Sequence, residues 1–375
     1  MKSKEIFSDY NFSQIPGELE KDITDHLVLL ANNIAHRKGK KIRIMEVCGT
    51  HTVEFARSGI TQLLSDSLDL RSGPGCPVCV TDQQDLDQMI ALAAIKDTVI
   101  VTFGDLVRVP GSSTSLEKEK ARGAHIHICY NPMEALALCE KYPGKEIILL
   151  GVGFETTIPL LAYTVLQAEQ RKLGNFSIIT AIKIINPALH TLFGKKDHSL
   201  DGLILPGHVA AILGRQNFDY LAADYHLPAT ITGFQPLDLL TGLYSLLEDI
   251  NKNNPKVTNL YKHVVKEEGN IKAKQIMYRV FQEEQAARWR GLGVIPGSSL
   301  ELKPEFRHRD AGSRFKIKVR PSTDPSSCRC GEIITGKISP FECPLFNQSC
   351  TPANPIGPCM VSAEGACSTY HKFLV

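Results

Sequence analysis

Between residues 41 and 250 the chain alternates short Ile- and Val-rich runs with helix-patterned stretches, and this alternation restricts the fold more than any other feature. The apolar runs lie at 41–47, 97–103, 125–130, 146–152, 176–185, 202–205 and 229–232, bounded by Gly, Pro or Asn, and they read as strands. Helical spacing follows Thr81-Asp-Gln-Gln84, which has the form of a capping box, and Asn131-Pro-Met-Glu opens a second helix. Further helices are expected over 160–171, 209–220 and 237–250. Strand and helix taking turns in this way predict an α/β class with parallel, doubly wound sheets. A break at Tyr142-Pro-Gly-Lys145 divides the run into two similar halves, each with a strand entering a polar turn.

Four segments are therefore expected. Residues 1–40 form a helical segment packed on the C-terminal part. Residues 41–142 form an α/β domain with Cys48, Cys76 and Cys79. Residues 143–250 form a second α/β domain. Residues 251–375 hold one long helix over 271–290 and then a tail rich in Gly, Pro and Cys. That tail has too little apolar periodicity to bury a core unaided, so a bound metal would organise it.

The 42 basic and 40 acidic residues give a formal charge of +2, so no electrostatic argument favours nucleic acid or an anionic membrane. The first residues contain no apolar signal-like stretch, and the apolar runs are too short to span a bilayer. A cytoplasmic protein is the expectation. In a reducing compartment, clustered cysteines indicate metal or catalysis more often than structural disulfides.

Of the 11 cysteines, six crowd the tail at Cys328, Cys330, Cys343, Cys350, Cys359 and Cys367. No histidine stands at zinc-like spacing, and the single residue between Cys328 and Cys330 is unusual for a zinc ribbon. Six thiols exceed the four that one cubane iron–sulfur cluster needs, and the surplus two suit a disulfide. An iron–sulfur cluster, a structural zinc and simple disulfides all remain open, and the spacing admits any four of the six as ligands. Gly73-Pro-Gly-Cys76-Pro-Val-Cys79 is a stiff turn whose two sulfurs can chelate one ion or join. Cys79 is expected just before a helix, where the positive end of the dipole lowers a thiol's pKa. Cys48 ends a strand in Cys48-Gly-Thr-His51, a position where open α/β sheets bind ligands. His51 there, and His208 in Leu205-Pro-Gly-His208, are polar candidates around the same crevice. Gly151-Val-Gly-Phe-Glu155 lacks the third glycine of a dinucleotide turn and carries an acid where phosphate would be repelled, so nucleotide binding is excluded. Cys129 and Cys139 are assigned to packing.

At Cys48-Gly-Thr-His-Thr52, Gly73-Pro-Gly-Cys-Pro-Val-Cys-Val-Thr81, Gly153-Phe-Glu-Thr-Thr157 and Pro206-Gly-His-Val209 the chain resembles the HypD family of hydrogenase maturation factors. The likeness continues through Trp289-Arg-Gly-Leu-Gly-Val-Ile-Pro296, Cys328-Arg-Cys-Gly-Glu332, Cys343-Pro-Leu-Phe346, Gly357-Pro-Cys-Met-Val-Ser362 and Glu364-Gly-Ala-Cys367. Gln235 departs from it, standing where the family tends to carry Glu. The resemblance implies two similar α/β domains plus a Cys-rich iron–sulfur domain. It also implies a scaffold that assembles the Fe(CN)2CO unit of [NiFe]-hydrogenase, with a small HypC-type partner and a HypE-type cyanide donor. On that reading Cys48, Cys76 and Cys79 hold iron or carry electrons, and the tail holds a [4Fe-4S] cluster. His51, Glu155 and His208 would position cyanide or the partner. The rival reading is a cluster-dependent thiol–disulfide oxidoreductase acting on protein disulfides.

Overall fold

A computed structural model describes residues 17–194, 199–321 and 327–375. The part of the expected 1–40 segment before residue 17 lies outside them. Nine strands build two wholly parallel sheets. The first has the order β2 (Leu68–Ser72), β1 (Ile42–Glu46), β7 (Gly202–Leu205), β8 (Ala229–Ile231), β9 (Val257–Asn259). The second has the order β4 (His125–Ile128), β3 (Thr98–Thr102), β5 (Glu146–Gly153), β6 (Phe176–Ile182). The expected α/β class and parallel sheets are thus present.

The partition differs from the expected halves. β5 pairs with β3, so no boundary falls at Tyr142-Pro-Gly, and the second sheet sits as an insertion between β2 and β7 of the first. Strand pairing across such a distance depends on which apolar faces meet, and local pattern carries no record of it.

Side chains alternate between faces with a period of two. Ile42 and Ile44 of β1 join Ile204 beneath helices Gly17–Lys38 and Pro236–Lys252, which contribute Leu27, Ala31, Ile34, Leu239, Leu243 and Leu246. Helix Gly17–Lys38 therefore packs on the first sheet, and on helix Pro236–Lys252, rather than on the C-terminal part. Ile147 and Leu149 of β5 face helix Ile158–Gln170 and helix Ile271–Val280. The remaining faces meet in the middle: Met45, Val47 and Leu205 from one sheet, Ile148 and Leu150 from the other, and Ile333, Cys343 and Cys359 from the tail share one apolar cluster. Both faces of each sheet are covered, as parallel sheets require.

Two expected helices are interrupted. The 209–220 stretch stops at Leu213 because Gly214 takes φ 99°, and a short 3-10 turn Arg215–Phe218 follows. The 271–290 stretch is helical only to Val280, then forms β10 (Phe281–Glu283) and β11 (Ala286–Trp289), which pair antiparallel with β13 (Leu300–Leu302) and β12 (Gly293–Pro296). Among the described residues no helix is long and apolar enough to cross a membrane.

A candidate thiol centre between the sheets and the tail

Cys48 follows β1 and precedes helix Gly49–Arg57, at the carboxyl end of an inner strand. It is buried at 8% exposure. Its N–H donates to Glu46 Oε2 at 3.1 Å, while the Thr52 hydroxyl donates to Glu46 Oε1. Burial raises the Glu46 carboxyl to about 8, against the lowering effect of those bonds. Burial, reinforced by the Glu364 carboxylate, pushes the Cys48 thiol up to about 12. The thiol is therefore protonated at neutral pH, and a cation that binds there must displace the proton.

The Gly73-Pro-Gly loop lies directly on the Cys48 backbone. Gly49 N–H donates to Gly75 O at 3.3 Å, and Gly73 N–H donates to Glu46 O at 2.7 Å. A Cβ on Gly75 would stand 2.4 Å from Cys48 N, so only glycine permits this approach. Cys76 and Cys79 are joined by a disulfide with Cα atoms 5.2 Å apart, Cys76 capping the short helix Pro77–Val80 and Cys79 lying within it. As they stand, Cys48, Cys76 and Cys79 do not form a ready-made metal site. The helix Gln83–Ala93 that follows is capped by Asp82, whose carboxylate accepts from Gln84 N–H at 3.0 Å. The expected capping box at Thr81 is not formed, because its hydroxyl donates back to Pro77 O at 2.8 Å.

The tail closes over this loop from the other side. Helix Pro358–Val361 packs on helix Pro77–Val80, and helix Ala366–Phe373 packs on helix Gly49–Arg57. Between them, Thr50 Oγ1 donates to Glu364 Oε1 at 2.6 Å, and Ser362 Oγ donates to Asp105 Oδ2 at 2.8 Å. The segment Ser362-Ala-Glu364 thus ties the tail to both sheets.

All six tail cysteines line one cavity, with Ile333, Phe346, Gly357 and Met360. Cys330 and Cys359 are joined, their Cα atoms 6.3 Å apart, which leaves Cys328, Cys343, Cys350 and Cys367 free. The Cys328 thiol is raised by burial and then by Cys350 and Cys343, although Arg290 opposes the rise. The Cys367 thiol is raised by burial, then by Cys350, Cys328 and Cys343. Four thiolates this close repel one another unless a cationic core lies among them. They are a donor set for an iron–sulfur cluster, whose thiol ligands bind different metal atoms, and not, as they stand, for a single zinc ion. Among the described residues no three His, Cys, Asp or Glu side chains are close enough to share a single metal ion. A Cβ on Gly357 would meet Cys328 Sγ at 2.5 Å, so the sulfur fills the place a side chain would take.

The polar candidates separate into two places. His51 is fully buried, with Nε2 3.0 Å from Gly233 O and its ring stacked on Phe234 at 4.5 Å. His208 stacks on Phe234 as well, 3.9 Å between ring centroids, so the two histidines share that ring. Burial lowers the His51 imidazole to about 4, and its Nδ1 has no hydrogen-bond partner. Glu155 lies apart, after β5; its Oε1 accepts from Ile185 N–H at 3.0 Å and its Oε2 is unpartnered. Gln235 begins helix Pro236–Lys252, its N–H donating to Asp238 Oδ2 at 3.1 Å. Cys129 and Cys139 are buried among the apolar residues of the second sheet, as expected.

Sequence reasoning gave no role to Glu46, Thr50 and Glu364. Glu46 leaves one signal, an acid inside an apolar strand immediately before a cysteine. Glu364 leaves none beyond its nearness to Cys367, because its contact with Thr50 spans the chain.

The fold and site define a class: a two-sheet parallel α/β protein whose strand-end thiol and neighbouring Cys76–Cys79 disulfide are roofed by a tail with a sulfur-lined cavity. A family model described as "HypD: Hydrogenase formation hypA family" matches residues 25–374. The hydrogenase maturation factor HypD of Escherichia coli (strain K12) is 38% identical over 351 residues, covering 94% of each chain. That of Rhodobacter capsulatus is 36% identical over 359 residues, 95% of each chain, and that of Azotobacter vinelandii is 38% identical over 340, covering 89% and 90%. The chain belongs to the HypD family of hydrogenase maturation factors.

Proposed function

We propose that this protein is a scaffold on which the Fe(CN)2CO unit of [NiFe]-hydrogenase is assembled before delivery. The observation that carries the reading is convergence: Cys48, the Cys76–Cys79 loop and the tail come together through Gly75, Glu364 and helix Pro358–Val361. Cys48 Sγ is the iron ligand, shared with a cysteine of a small HypC-type partner. Soft thiolate suits low-valent iron carrying strong-field ligands. Iron arriving at Cys48 displaces the thiol proton that burial otherwise holds there. The Cys76–Cys79 pair accepts two electrons and two protons to become a dithiol, and so can add ligands or pass electrons to the cargo. Cys328, Cys343, Cys350 and Cys367 would hold a [4Fe-4S] cluster, which would supply electrons one at a time beside that pair. His51, His208 and Glu155 position cyanide, from a HypE-type donor, or the partner itself.

The thiol–disulfide oxidoreductase reading requires a protein disulfide to reach the reactive pair. Cys76 is 5% exposed and Cys79 is 0%, which disfavours a bulky substrate. The test is infrared spectroscopy of the protein purified anaerobically with its small partner. CN and CO stretching bands are expected in the native protein and lost in Cys48→Ala, with tail iron and sulfide unchanged in both. An iron-loaded native complex without those bands would transfer the assignment to the oxidoreductase.

A further inference from the structure

Cys48 is 8% exposed, yet iron shared with a partner's cysteine must reach its sulfur from outside. Two segments of chain cover that neighbourhood, and they are held differently. The Gly73-Pro-Gly loop is fixed to the Cys48 turn by backbone bonds, Gly73 N–H to Glu46 O and Gly49 N–H to Gly75 O. The strap Ser362-Ala-Glu-Gly365 is held by side chains. It runs between helices Pro358–Val361 and Ala366–Phe373, with Ala363 open to solvent and Glu364 half-buried. Glu364 lies against Gly49, the residue after Cys48: a Cβ there would stand 2.5 Å from Glu364 Cβ. Two carboxylates hold the strap down. Glu364 Oε1 accepts from the Thr50 hydroxyl at 2.6 Å, on the first sheet's side. Asp105, in the short helix after β3 of the second sheet, accepts from the Ser362 hydroxyl at 2.8 Å and from Ala363 N–H at 3.3 Å. Gly365 and Glu364 N–H bond within the strap, to Ser362 O at 3.0 Å and Ser362 Oγ at 3.3 Å. The ends are set by the sulfur-lined cavity, since Cys359 precedes the strap, Cys367 follows it, and a Cβ on Gly365 would stand 2.2 Å from Cys359 O.

We propose that residues 362–365 are a lid over Cys48, latched by Asp105 and Thr50, that swings outward about its fixed ends to admit iron and the partner's cysteine. Opening breaks the bonds to these two residues and leaves both sheets paired, so it costs far less than unfolding. Segments that move to expose a site are drawn from chain held by few bonds, and this strap is such a segment. The inference rests on the reading in which Cys48 holds iron. Access to the thiol is measured without iron, so either can fail without the other.

The experiment follows N-ethylmaleimide labelling of the Cys48 peptide by mass spectrometry, in the anaerobically purified full-length protein with no partner added. Labelling is timed across urea concentrations below the unfolding transition. A lid that opens locally exposes little surface, so the native rate is expected to be nearly independent of urea. Asp105→Ala removes the acceptor of two bonds and is expected to raise that rate about tenfold or more, hydrogen bonds to a carboxylate being the stronger kind. Ser362→Ala removes one of the two, should raise the rate less, and serves as the test should Asp105→Ala not fold. A native rate that climbs steeply with urea would show that Cys48 is reached only by unfolding and would overturn the inference. So would a rate left unchanged in every variant that folds.

Discussion

Glu155 keeps a carboxyl where burial is complete and only one oxygen is bonded. Its folded pKa, raised by burial from 4.5 to about 7, means the fold prefers the protonated form. Stability from this group is full below about pH 4.5 and is lost as pH rises through about 7; above that, charging it costs about 3 kcal/mol. Glu155→Gln should therefore be more stable than the native protein by up to about 3 kcal/mol at about pH 8 and equal to it in acid, by denaturant titration at both pH values. A group kept at such a cost is a functional candidate in its own right. His51 has the opposite sign. Its folded pKa lies at about 4 against 6.5, so its contribution is present above about pH 6.5 and fades as pH falls toward 4. His51→Gln should flatten that part of the acid limb in the same titrations, by about 3 kcal/mol.

At the scale of elements, the Gly73-Pro-Gly loop and β1 are joined by backbone contact rather than by side chains. Gly75→Ala forces a methyl onto Cys48 N and Val47 C, neither of which can yield, so a loss of about 1–3 kcal/mol and weakened iron retention at Cys48 are expected. Gly144→Ala, which meets nothing within 4 Å, should change neither, by denaturation and metal analysis. The seven strands β1, β3, β4, β5, β6, β7 and β8 were legible because Ile or Val recurs in each between Gly, Pro or Asn boundaries. β2 was not, since Leu-Asp-Leu-Arg-Ser is an edge strand whose Asp69 and Arg71 pair with each other at 2.6 Å. β10 and β11 were hidden by Gln-Glu-Glu-Gln-Ala-Ala, a run of good helix formers. Burial of Trp289 against Phe154 and its bridge to Thr81 override that preference. The cysteines of the site were legible by chemistry and strand position; Glu46 and Glu364 were not, since their roles arise only from contacts made in the fold.

For the molecule as a whole, one apolar cluster ties both sheets to the tail, and six of its members are the tail cysteines except Cys328, with Met360. On the proposed reading, a tail with so little regular structure takes its rigidity from the cluster its cavity would hold. Removing bound iron with a chelator under reducing conditions should lower the unfolding temperature and open the tail to protease ahead of the two sheets. Scanning calorimetry and mass spectrometry of the cleavage products would follow this, and equal cleavage with and without iron would contradict it. The HypD relatives match along nearly the full length, so the same experiment applies to the E. coli protein, which is 38% identical.

The insertion of one sheet within the other also sets an order of manufacture. The inner sheet has all its strands once Ile182 has been made, whereas β1 waits for Gly202–Leu205 and its sheet is finished only at Asn259. Translation runs from the amino end, so Cys48 is synthesised early yet gains its Glu364 cover almost last. A nascent chain stalled on the ribosome before that point would carry a bare, alkylatable Cys48, and the finished protein a shielded one.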